Sequence, residues 1–120
     1  MSITKPVKNQ MAFWEKINKI NNASGTVEID IPKSTVHLIS MANSIIISFS
    51  DISNIPDDSF VSLSLLFIGN GTYTITFPST CNMTSGSDTN VFIPSNKLGI
   101  QLFSIDRGLT WKLAPFTLDF

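Results

Sequence analysis

Residues 60–78 read FVSLSLLFIGNGTYTITFP. On the left, Val61, Leu63, Leu65 and Phe67 alternate with Ser62 and Ser64; on the right, Tyr73, Ile75 and Phe77 alternate with Thr72, Thr74 and Thr76. Successive side chains of an extended chain point to opposite faces, so a two-residue period marks strands with one apolar and one polar face. Gly69-Asn70-Gly71 between them is turn chemistry, and Pro78 closes the second run because proline cannot donate to a ladder. The stretch predicts a β-hairpin with a bare threonine face.

The same period recurs on either side. TVEIDI puts Val27, Ile29 and Ile31 on one face and Glu28 and Asp30 on the other. STVHLIS and SIIISFS follow, the second with Ile45, Ile47 and Phe49 in step, and after the hairpin come NVFIP, LGIQLFSI and LTWKL. Asp106-Arg107-Gly108 supplies a second turn, and Pro32, Pro56 and Pro94 fall at run ends. About eight short strands at this spacing predict an all-β domain over residues 25–120, an antiparallel β-sandwich or small jelly-roll-like barrel.

Residues 1–24 differ. In VKNQMAFWEKINKINN, residues 7–22, Val7, Phe13, Trp14, Ile17 and Ile20 fall on one broad arc at 100° per residue, with Lys8, Glu15, Lys16 and Lys19 opposite. Pro6 suits a first helical turn, and Asn21-Asn22 with Gly25 supplies a stop. A short amphipathic helix is expected here. Alone it is marginal, so it needs a surface to dock on. Val7, Met11, Phe13, Trp14, Ile17 and Ile20 are therefore the candidate attachment or oligomerisation residues of an N-terminal anchor segment.

Composition narrows the function. The 120 residues suffice for one domain with a core, and 42% hydrophobic residues argue against disorder. Charged residues make up 14%, against roughly 25% in an average domain. A net charge of −1 offers nothing to nucleic acid or an anionic membrane surface. The start MSITKPVKNQ lacks an apolar signal core, and no apolar run approaches membrane-spanning length, so synthesis in a cytosol is expected.

Chemistry-bearing residues are sparse. His37 is the only histidine and Cys81 the only cysteine, so neither a disulfide framework nor a zinc site is expected from them. His37 lacks a nucleophile and orienting carboxylate in its sequence surroundings, and reads as a sheet residue. No basic neighbour activates Cys81. Asp57-Asp58 beside Pro56 reads as a turn. Glu28 and Asp30 share a strand face and are either solvated or opposite Lys33 of another copy. Tyr73 and Trp111 are in step with apolar neighbours and read as core. No catalytic residue, metal or cofactor is expected. The uncharged Thr72, Thr74 and Thr76 face stands out, because exposed strands normally carry lysine or glutamate against edge pairing. It is the candidate interface between copies.

The order GTVEIDI, IIISFS, GNGTYTITFP, DRGLTW, spread over about three quarters of the chain, resembles a small β-domain recurring in bacteriophage fibre and other virion proteins. Arg107, where a glycine is common, and the added APFTLDF depart from that pattern. The resemblance implies a trimeric or otherwise oligomeric, non-enzymatic structural role on a phage particle and carries over no catalytic residues. For so short a chain the expectation is a head-decoration or head-fibre protein, made in the host cytoplasm and built into the virion. Its partners would be copies of itself in a homotrimer and a capsid or other virion protein. The alternatives are a receptor- or glycan-binding tail-fibre tip, using loops such as 79–90 on a host-surface glycan, and a monomeric carbohydrate-binding module.

Overall fold

A computed structural model describes residues 15–86, 90–94 and 96–117. The strands are β1 (Ile17–Ile29), β2 (Val36–Phe49), β3 (Val61–Ile68), β4 (Ile75–Thr76), β5 (Cys81–Met83), β6 (Val91–Phe92), β7 (Lys97–Ser104) and β8 (Trp111–Thr117), with one 3-10 turn at Ile31–Lys33. All eight belong to one curled sheet of order β5-β8-β7-β3-β2-β4-β6, with β1 paired to β2.

The strand directions correct the expected antiparallel sandwich or jelly roll. β1 with β2, β2 with β3, β2 with β4 and β5 with β8 are parallel; only β3 with β7, β4 with β6 and β7 with β8 are antiparallel. Alternation reports which face a residue takes, and it carries no information on the direction of the neighbour. The stretches STVHLIS and SIIISFS form the single strand β2, which organises the sheet. β1 runs along one of its edges from Val36 to Phe49, while the other edge pairs first with β3 (Val36–Ser40) and then with β4 (Ile45–Ile46). The hairpin expected at Gly69-Asn70-Gly71 is thus a crossover: β3 and β4 lie end to end on β2 instead of against each other. Asp106-Arg107-Gly108 does join the antiparallel β7 and β8.

The expected helix over residues 7–22 is not present where the chain is described, since residues 17–22 belong to β1. Val7, Met11, Phe13 and Trp14 lie outside the described residues. Strand β1 also continues without a break from residue 24 to residue 25, where anchor and β-domain were expected to meet. The three-residue spacing of Ile17 and Ile20 suits a helical stripe, but their pairing with Val36 and Ile39 of β2 holds them in a strand, tertiary contact overriding the local pattern. Further along, β1 carries a bulge. Asn22 at φ 54° and Gly25 at φ 65° occupy the left-handed region that asparagine and glycine tolerate best, and the register with β2 shifts on both sides of Ala23. An inserted residue reverses the facing. Asn18 and Ile20 point inward before it, Ala23, Val27 and Ile29 after it. The apolar residues of β1 therefore keep no single two-residue period across Asn22.

The core fills the concave side. Ile29, Ile39, Ile47, Leu63, Leu65, Phe67, Ile75, Phe77, Ile100, Leu102, Trp111 and Leu113 are almost completely buried. Each such side chain contributes on the order of 1.5–3 kcal/mol relative to exposure. Phe77 stands edge-on to both Phe67 (6.4 Å between centroids) and Phe92 (5.8 Å), tying β3, β4 and β6 together, while Phe49 stacks on Trp111 at 5.0 Å. Phe116 lies flat over Gly99, its cross-strand neighbour, where a Cβ would come within 2.3 Å of the ring.

Candidate functional site

The residues with chemical potential are committed to structure. His37 is fully buried on β2. Its Nε2–H donates to the Ser34 carbonyl at 2.9 Å and its Nδ1 accepts from Asn18 Nδ2 at 3.0 Å. These partners select the neutral Nε2–H tautomer, and burial pushes its pKa below 6.5. Cys81 is buried on β5, where desolvation raises its thiol to about 11. A thiol held there is protonated and a poor nucleophile. Asp58 sits at φ 60° in a turn, and Asp57 meets Arg107 Nε at 3.3 Å. Among the described residues no three of His, Cys, Asp and Glu are placed to share a metal ion. No helix there is long and apolar enough to cross a membrane.

The turn between β7 and β8 is a polar clasp. Asp106 accepts from the Ser104 hydroxyl at 2.6 Å, the Thr110 hydroxyl at 2.6 Å and the Thr110 amide at 2.9 Å. These bonds hold its carboxyl down to about 2. Arg107, at φ 54°, turns outward and donates to the carbonyls of Ile52 (2.9 Å) and Ile55 (3.1 Å). Arg107 thus fastens the long connection between β2 and β3.

The convex face is where unpaired surface gathers. Thr72 belongs to a turn, its amide and hydroxyl both donating to Asn70 Oδ1. Thr74 and Thr76 are half-buried on the outer face. The register aligns Thr26, Ile46, Thr76 and Val91 in one row across β1, β2, β4 and β6. Ile46 is 54% exposed and Val91 45%, and Ile93 is exposed nearby. None of the row carries charge. In the other half of the same face, Gln101 bridges Ser64 (2.6 Å) and Ser62 (2.7 Å), a satisfied polar ladder between β3 and β7. Beyond it, Phe60, 64% exposed, stacks on Phe103 at 6.1 Å, and Ile105 is 78% exposed.

Of the candidate attachment residues that are described, Ile17 is exposed and Ile20 half-buried against the core. Three residues apart on a strand, they face opposite ways. The structure brings Thr74 and Thr76 onto a face with Ile46 and Val91, and leaves Thr72 in the turn. Sequence reasoning missed Ile46, although three successive isoleucines in a one-sided strand leave the middle one pointing outward. Phe60, Val91 and Ile105 carried no comparable signal, because each stands at a run's end. Comparison of the chain with protein-family models, curated proteins and solved structures yields no match.

Proposed function

We propose that this chain is a non-enzymatic structural protein of a bacteriophage virion, an oligomeric head-decoration or head-fibre subunit attached through its N-terminal segment. The observation that carries the reading is the uncharged row Thr26, Ile46, Thr76 and Val91 on the convex face. Solvent-facing strands ordinarily carry charge against association, whereas a face that meets other copies gains by leaving it out. The motif order supports the virion setting. Homotrimer formation through this face, with a capsid protein as the second partner, is the form the proposal takes.

Native mass of the full-length protein at low concentration is the test. A species of three times 13.2 kDa is expected, and Ile46→Lys with Val91→Lys should reduce it to one chain with an unchanged circular dichroism spectrum. A wild-type monomer would defeat self-association through the face. Labelling of purified particles by an antibody to the chain tests the virion setting. The exposed Phe60–Phe103 stack, beside Asp106, Thr110 and Lys112, favours a second reading, a receptor- or glycan-binding tip. Loss of cell-surface binding in Phe60→Ala, with the oligomer intact, would select it.

A further inference from the structure

The open edge of β1 is the feature that neither the core nor the convex face uses. β1 pairs with β2 along one side only, so a strand of 13 residues presents its other edge unpaired among the described residues. An open trough runs along it, lined by Lys19 from the first half of β1 and Glu28 from its end, the two charged residues of the strand. Lys19 and Glu28 are exposed and make no ion pair within the described part of the chain. A strand edge basic at its start and acidic at its end is complementary to itself when turned around.

We propose that β1 pairs edge to edge and antiparallel with β1 of a second copy, in the register that sets Lys19 opposite Glu28. Three observations converge on that register. Directly opposed residues in an antiparallel pair share a face. The bulge puts even-numbered residues inward before Asn22 and odd-numbered ones inward after it, so a residue before the bulge and its opposite number after it must add to an odd number. Lys19 with Glu28 satisfies this, and so in consequence do Ile20 with Val27 on the core side and Asn21 with Thr26 on the outer side. The same register places Asn22 opposite Gly25, the two left-handed positions of the strand, so that the irregularities of both copies coincide at the twofold axis. A bulge normally blunts an edge against indiscriminate partners. Here it admits a partner bearing the same irregularity at the same place. The contact uses the strand edge, so it survives Ile46→Lys with Val91→Lys, and its failure is distinguishable from failure of the face-to-face association proposed above.

The test is cross-linking of full-length single variants in that lysine background. Asn21→Cys mixed with Thr26→Cys should give a disulfide-linked pair under mild oxidation, because opposed Cβ atoms lie within about 4.5–5.5 Å. Either variant alone should give none, its own cysteines lying five positions out of step. The native Cys81 is buried and silent. In sedimentation at high concentration, Lys19→Glu should raise the dimer dissociation constant about tenfold, since two opposed pairs become like-charged. Adding Glu28→Lys should restore it. Absence of the mixed disulfide, linkage of Asn21→Cys to itself, or a dissociation constant indifferent to Lys19→Glu would each overturn the proposal. So would a monomer at every concentration, including one whose edge takes up an unrelated extended peptide.

Discussion

Replacing Asn18 with alanine isolates one buried polar bond. Within the sheet, His37 is wholly enclosed and keeps both ring nitrogens paired, one to the Ser34 carbonyl and one to Asn18. Asn18→Ala leaves the first bond intact and strips Nδ1 of its donor. A buried acceptor without a partner costs about 1–3 kcal/mol, more than the bond itself contributes net. For a domain of this size that corresponds to a fall in Tm of roughly 5–10 °C. The assay is a two-state thermal melt followed by circular dichroism. A companion, Asn18→Leu with His37→Leu, removes the orphaned ring nitrogen and leaves only the carbonyl of half-buried Ser34 without its donor, so it should recover part of the loss.

The pH profile separates this account from simple damage to β1. Burial holds His37 below its ordinary 6.5, so on acidification the unfolded chain takes up the proton before the folded one. Its contribution is therefore complete above pH 6.5 and drains away below it, with a limiting slope of about 1.4 kcal/mol per pH unit for one proton. The double leucine variant should lack that slope in the range where carboxylates stay ionised. A melt of Asn18→Ala superimposable on wild type, or an undiminished slope in the double leucine variant, would refute the reasoning.

Two further substitutions probe other joints. Arg107 sits at φ 54° while clamping Ile52 and Ile55, so Arg107→Gly loses the clamp but sheds the strained backbone, and Arg107→Ala loses the clamp and keeps the strain. The alanine variant should be the less stable by about 1 kcal/mol in urea titration, with both more readily cleaved by protease between residues 51 and 59; equal stability would contradict the assignment. Gly99→Ala drives a methyl into the Phe116 ring, with contacts as short as 2.3 Å, and should cost about 1–3 kcal/mol. In a double-mutant cycle Phe116→Ala should absorb most of that penalty, and strict additivity would show that the ring is not the obstacle.

Alternation in VSLSLLF, LGIQLFS and LTWKL is enough to place β3, β7 and β8, and it assigns Leu63, Leu65, Phe67 and Trp111 correctly to the interior. Buried one-sided strands advertise themselves because solvent and core impose opposite demands on neighbouring residues. Illegible was everything that depends on partners. Nothing in STVHLISMANSIIISF tells that one strand continues through Met41-Ala42-Asn43, or that its neighbours run parallel. β4 and β6 each span two residues and pair too briefly to leave a pattern. Ile17 and Ile20, three positions apart, read as one stripe of a helix, but paired to β2 they take opposite faces of a strand. At the candidate site Thr74 and Thr76 were readable as an uncharged face. Their neighbours Ile46 and Val91 come from strands 30 and 15 positions away, as the pairings of Ile46 and Val91 with Thr76 show.

The parallel pairing of β2 has a consequence for how the molecule comes into being. β1, β3 and β4 all approach β2 from distant chain positions, Val36 meeting Ser64 and Ile45 meeting Ile75. Only β7 and β8 form a local hairpin, and they follow the other strands in the chain. Non-local closure is entropically slow and local closure fast. Nucleation therefore belongs to the hairpin of β7 and β8, with β3 joining it through β7, and β1 and β2 must wait, unpaired and apolar, until that hairpin has been made. For such a chain the scarcity of charge that suits an assembled surface becomes a hazard before assembly, and yield will depend on how quickly β2 finds its neighbours.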